Sequence, residues 1–195
     1  MLFPTLAFGV FVLFVYFTSW SLDRENGRRK LFLLLASWFF YAQWDWRFVG
    51  LLILSAVLNW GVAALIARSD AAGRRKLLVG LGVAANLLIL GFFKYYGFFV
   101  EQAGELLARF GWERDLPLLQ IVLPVGISFF TFQGISYVVD VHRRKTPPAD
   151  SLLDVMLLMS FFPHLVAGPI VRAADLLPQF KRVPRLTREM ATHGL

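Results

Sequence analysis

Six apolar runs set the pattern of the chain: residues 2–22, 31–44, 48–67, 77–100, 118–141 and 152–171. Each is read as a membrane-embedded helical segment, since about 20 residues at 1.5 Å rise cross a hydrocarbon core. The second run is short, and Asp45, Trp46 and Arg47 divide it from the third, so these two form a tight helical hairpin. Trp38, Phe39, Phe40, Tyr41, Trp44 and Trp46 crowd the tip, which belongs at the headgroup level where such rings are favoured. Lys94 near the end of the fourth run is read as snorkelling to the interface, and 101–117 as an interfacial helix or loop. The fold class is therefore all-α, a polytopic helical membrane protein with about five to six embedded segments.

Polar residues inside the apolar runs carry the candidate chemistry. The stretch PVGISFFTFQGISYVVDVHRR, residues 124–144, wound at about 100° per residue, puts Gly126, Gln133, Ser136, Tyr137 and Asp140 on one side. Ile127, Ile135, Val138 and Val139 fall on the other. The stripe either lines a wet path or glues neighbouring helices by hydrogen bonds. The last run contains Pro163, His164, Gly168 and Pro169, so a straight helix is not expected there. Broken backbone within a bilayer must be buried in protein or reached by water. His164 is a weak catalytic candidate, and the competing role is hydrogen-bonding the broken backbone.

Charge adds orientation. Lys and Arg number four in 23–30, one in 45–47, four in 68–76, two in 101–116 and three in 142–150. Basic loops face the cytoplasm, which puts the N-terminus outside. Five more bases lie in the tail, residues 172–195. They stay on the cytoplasmic side if 152–171 enters and returns, so a re-entrant or sharply broken element is predicted. The tail apolar pattern of Leu176, Leu177, Phe180 and Val183 is chopped by Pro178 and Pro184.

A composition of 57% hydrophobic and 17% charged residues excludes an ordinary soluble domain. Bases clustered between apolar runs fit membrane orientation rather than nucleic-acid binding, although the net charge is +7. The absence of cysteine excludes disulfides, thiolate metal sites and a cysteine nucleophile. The first run reads as an anchor rather than a signal peptide. His142, His164 and His193 have no metal-binding spacing, and there is no phosphate loop or serine-hydrolase elbow.

The pair PVGISFFTFQGISYVVDVHRR and SFFPHLVAGPIVRAADLLPQF, with FFKYYGFF before them, resembles the membrane-bound O-acyltransferase family. The wording AGPIVR is similar to its alginate O-acetyltransferase branch more than to its teichoic-acid D-alanine branch. The resemblance implies a ring of helices around a thin centre, in a bacterial inner membrane, with funnels from both sides meeting at a catalytic histidine. It implies an acyl donor, with acetyl-CoA the expected one, a polysaccharide acceptor such as alginate, and periplasmic acyl-transfer partner proteins. Gln133, Ser136, Tyr137, Asp140, His164 and Arg172 would then line the substrate path, with Pro163, Gly168 and Pro169 shaping its wall. Lys181, Arg182, Arg185 and Arg188 could meet donor phosphates, or serve only as positive-inside charges. In the family the catalytic histidine follows the AGPIVR motif on a later helix. Residues 1–195 are accordingly expected to be the N-terminal part of one such domain, with no catalytic residue of their own. A transport or scaffold component without chemistry is the alternative, because broken helices and polar groups at mid-depth also mark transporters.

Overall fold

A computed structural model describes residues 5–22, 26–109, 123–165 and 171–182. The described residues are helical, without strands: α1 Leu6–Ser21, α2 Asn26–Asp45, α3 Val49–Ala67, α4 Ala72–Arg109, α5 Ile127–His142, α6 Leu152–Ser160, α7 Phe162–Leu165 and α8 Ala173–Lys181. One 3-10 turn, Trp46–Phe48, joins α2 to α3. Asn26–Ala67, which comprises α2 and α3, and Ala72–Ala103 within α4 are long and apolar enough to cross a membrane; Leu6–Ser21 is a shorter apolar helix.

Several boundaries differ from the hydrophobic pattern, each for a local reason. The second apolar run is not short as a helix, because α2 starts at Asn26 within the basic loop. Its charged first turns find partners across the bundle. Asn26 Nδ2 donates to Lys181 O at 3.1 Å, and Lys30 Nζ meets Asp154 Oδ1 at 2.6 Å. The fourth run continues without a break to Arg109, so residues 101–109 extend a 38-residue helix. The rest of the expected interfacial segment, 110–117, lies outside the described residues, as do 118–122 of the next run. Pro178 does not break the helix: α8 runs through it and buries Ala173, Leu176, Leu177 and Phe180, the spacing of one helix face, while Val183 and Pro184 lie outside the described residues.

Phe40 and Tyr41 face the bundle core rather than the tip, while Trp38 is half-buried. Phe40 and Tyr41 are buried, and Phe40 packs among Phe8, Phe11 and Phe162 at centroid distances of 5.6, 5.9 and 5.6 Å. Tyr41 Oη donates to Val125 O at 2.9 Å. Trp44 and Trp46 remain exposed at the turn. There Asp45 caps Arg47 N and binds its guanidinium at 2.7 Å, which holds the Asp45 carboxyl below its ordinary range.

The basic loops gather at one end of the bundle. Arg75 Nη2 donates to His142 O at 2.8 Å, Lys30 joins Asp154, and Lys181 joins Asp150 at 2.7 Å. From that end α6 runs inward, the chain turns, and α8 comes back to pack against α5 and α6. The end of α8 meets the start of α2 and the residue before Ser151, the cap of α6.

Candidate functional site

The break between α6 and α7 is made two residues before Pro163. Phe161 leaves the helix with ψ 109°, so the bond that a continued helix would form, from Phe162 N to Leu158 O, is not made. Both halves find substitutes. Phe162 N donates to Ser37 Oγ at 3.3 Å, and Leu158 O lies 3.1 Å from His164 Nε2. Ser37 Oγ in turn donates to Leu33 O at 2.7 Å, and the neighbouring Trp38 Nε1 donates to Ser160 Oγ at 3.1 Å. Pro163 is the second residue of α7, where a missing N–H costs nothing. Gly168 and Pro169 lie outside the described residues.

Gln133 joins α5 to both limbs of this hairpin. It is 4% exposed, nine residues and so about 14 Å from the His142 end of its helix. Its Nε2 donates to Val171 O at 3.3 Å on the returning limb and lies 3.3 Å from His164 Nε2. One ring nitrogen cannot serve both neighbours. A carbonyl only accepts, so Leu158 O assigns the ring proton to Nε2, and the approach of Gln133 is then a contact between two N–H groups. Moving the proton to Nδ1 would turn it into a hydrogen bond and orphan Leu158 O.

The remaining stripe residues divide. Tyr137 is buried and its Oη accepts from Ala149 N at 2.9 Å, which pins the turn between α5 and α6. Asp140 is buried, its backbone oxygen accepts from Lys145 N at 2.9 Å, and no ion pair among the described residues joins it to Arg143 or Arg144. Ser136 is half-buried near the exposed rings of Phe129 and Phe132 on the open edge of α5. Arg172 is exposed at the start of α8, next to the carbonyl that Gln133 holds. Of the residues opposite the polar stripe, Ile127 and Val138 are buried and Ile135 and Val139 half-buried, so that side packs largely against neighbouring helices.

A second polar cluster, outside the residues predicted from the sequence, joins α3 to α4. Asn59 and Asn86, 0% and 2% exposed, exchange reciprocal amide bonds of 3.2 and 2.9 Å between α3 and α4. Each also donates back to its own helix, to Ser55 O and Gly82 O, both at 2.8 Å. Gly134 of α5 lies flat against the pair: a Cβ there would stand 2.8 Å from Asn59 Cγ. Single asparagines within apolar runs were the available signal. Among the described residues, no group of three histidine or carboxylate side chains could hold a metal ion.

Comparison with known proteins places this hairpin in context. The chain is 39% identical over 183 residues to a protein of Pseudomonas aeruginosa named a probable alginate O-acetylase, covering 92% of this chain and 34% of that protein. It is 41% identical over 156 residues to the Azotobacter vinelandii protein of the same name, covering 78% and 30%. A peptidoglycan O-acetyltransferase of Helicobacter pylori is 36% identical over 176 residues, with 78% and 32% covered. The chain belongs to the membrane-bound O-acyltransferase family. As a member of that family it spans about a third of the length of the curated relatives it matches. No family model matches the chain, and no solved structure does.

Proposed function

We propose that the chain forms the wall and cytoplasmic-side part of an O-acetyltransferase of the bacterial inner membrane, one that transfers acetyl groups to an exported polysaccharide. Its residues 1–195 are part of one domain with about five to six embedded segments, the last of them re-entrant. The N-terminus lies outside, and the end carrying 23–30, 68–76 and 142–150 faces the cytoplasm. Acetyl-CoA is the fitting donor, alginate or peptidoglycan sugar hydroxyls are the fitting acceptors, and periplasmic acyl-transfer proteins are fitting partners.

The observation that carries this reading is the Gln133 tie. A polar side chain midway along α5 holds the returning limb through Val171 O, beside the exposed Arg172. Such an arrangement fixes a broken element against a helix at the depth where a path from either side would meet. Acyl transfer to a hydroxyl needs a base that takes the hydroxyl proton at hydrogen-bond distance. His164 uses Nε2 on Leu158 O, so its role is to hold the break, and the base comes from elsewhere in the complete enzyme. Gln133 positions the wall, Tyr137 fixes the turn, and Ser136, Asp140 and Arg172 border the path.

The test is ester-linked acetate on alginate and on peptidoglycan from cells whose own gene carries Gln133→Leu. With membrane levels of the protein unchanged, acetate should fall by at least about tenfold, the loss of one positioning contact in a site that tolerates little displacement. Acetylation equal to the parent strain would overturn the placement of Gln133, and no acetate on either polymer in the parent strain would overturn the acceptor assignment.

A further inference from the structure

A cavity of about 450 Å³ opens at the basic end, away from the Gln133 hairpin. Its walls come from three segments: Ser69 and Asp70 after α3, Arg75 in the first turns of α4, and Arg144 with Thr146 and the prolines 147 and 148 after α5. Arg75 is anchored by its bond to His142 O, which fixes the guanidinium at the wall and leaves its other donors available. Arg144 is the unusual member. It has φ +57°, the one non-glycine residue in the left-handed region among those described. The position follows the end of α5, where glycine or asparagine normally reverses the chain. A long, β-carbon-bearing cation in that place is locally unfavourable, and such a strained residue points to a role beyond capping.

We propose that this cavity is a phosphate-binding site, in which Arg75 and Arg144 grip the phosphate of an anionic ligand and the two prolines and Val141 cover its apolar part. Arginine forks match phosphate oxygens bidentately, which a lysine point charge does not. Asp70 on the same wall disfavours a bare, highly charged anion, so a phosphodiester with hydroxyl groups that can donate to the carboxylate fits better than pyrophosphate. The headgroup of an anionic phospholipid such as phosphatidylglycerol has that chemistry, and a soluble phosphate ester shares it. The site is independent of the acyl-transfer reading, since no residue of the Gln133 cluster takes part.

The protein expressed from its whole gene and purified in detergent supplies the test by native mass spectrometry with added phosphatidylglycerol or phosphatidylethanolamine, and by thermal unfolding with glycerol phosphate. Arg144→Gly suits it, because glycine relieves the left-handed backbone while removing the cation. The melting temperature should hold or rise, while retention of phosphatidylglycerol over phosphatidylethanolamine should drop about fivefold. Arg143→Ala, one residue away and outside the cavity wall, should keep the preference. Stabilisation by glycerol phosphate that Arg144→Gly abolishes would support the same site with a soluble ester as ligand. Undiminished preference in Arg144→Gly with no effect of glycerol phosphate, or equal losses in both variants, would overturn the proposal, because charge alone would then account for binding.

Discussion

At the residue scale, the hairpin depends on one helical hydrogen bond being divided rather than lost. Ser37 takes the freed donor and His164 the freed acceptor, from two different elements. Ser37→Ala should lower stability by about 1–3 kcal/mol, the cost of an orphaned buried N–H, read as a lower melting temperature in detergent. His164→Phe should do the same through Leu158 O, whereas His164→Gln, which keeps a donor, should recover much of the loss. Gly134→Ala tests the asparagine pair. The new methyl has no room against Asn59, so about 1–3 kcal/mol should be lost, and combining it with Asn59→Ala should cost less than the sum of the two single changes. These roles were only partly legible. The sequence places His164 and Pro163 in a break, but the break's position depends on Ser37, more than a hundred residues away, and no local pattern encodes that partner. Gln133 and Tyr137 were visible as misfits in an apolar run; what each bonds to was not.

At the element scale, the hydrophobic pattern located the helices but misjudged their ends, since it treats charge as a stop. Charges end an apolar run, yet a helix continues wherever they find partners. α2 begins in the basic loop because Lys30 has Asp154, with side chains 14% and 4% exposed, and Asp154 is itself capped by Ser151 Oγ at 2.8 Å. Removing one partner of so buried a pair leaves a charge unpaired. Lys30→Met should therefore destabilise by about 3–5 kcal/mol, whereas Lys30→Met with Asp154→Leu should restore most of it. At the other end of α2, Asp45 closes the turn with Arg47 in the open. Its carboxyl pKa lies below the unfolded value of about 3.9. The contribution of Asp45 is thus present above that value and fades as pH falls through the folded pKa. Arg47→Ala should move the Asp45 carbon resonance titration upward, chiefly through the lost side-chain bond; an unmoved titration would remove Arg47 as its cause. Pro178 gives the converse lesson, because packing of Leu176, Leu177 and Phe180 keeps a helix where the residue alone argues for a break.

At the scale of the whole molecule, the arrangement of basic segments bears on how the chain sits in a membrane. Charge counting alone leaves the tail ambiguous, since five bases would lie outside if 152–171 crossed fully. The bonds of Asn26 to Lys181 O and of Lys181 to Asp150 bring the end of α8 to the same end of the bundle as the start of α2 and the cap of α6. That geometry motivates the re-entrant topology, and the chain is well suited to testing it because it has no cysteine. Single variants Asp70→Cys, Arg143→Cys, Gln179→Cys and Trp46→Cys each place one thiol at an exposed position. With a membrane-impermeant maleimide, the first three should react only in inverted vesicles, and Trp46→Cys only in intact cells with a permeabilised outer membrane. Labelling of Gln179→Cys from the same side as Trp46→Cys would mean that the segment crosses fully. The Gln133 tie to Val171 would then have to be broken in the membrane, because a chain leaving on the far side cannot also lay α8 against α5, α6 and the start of α2.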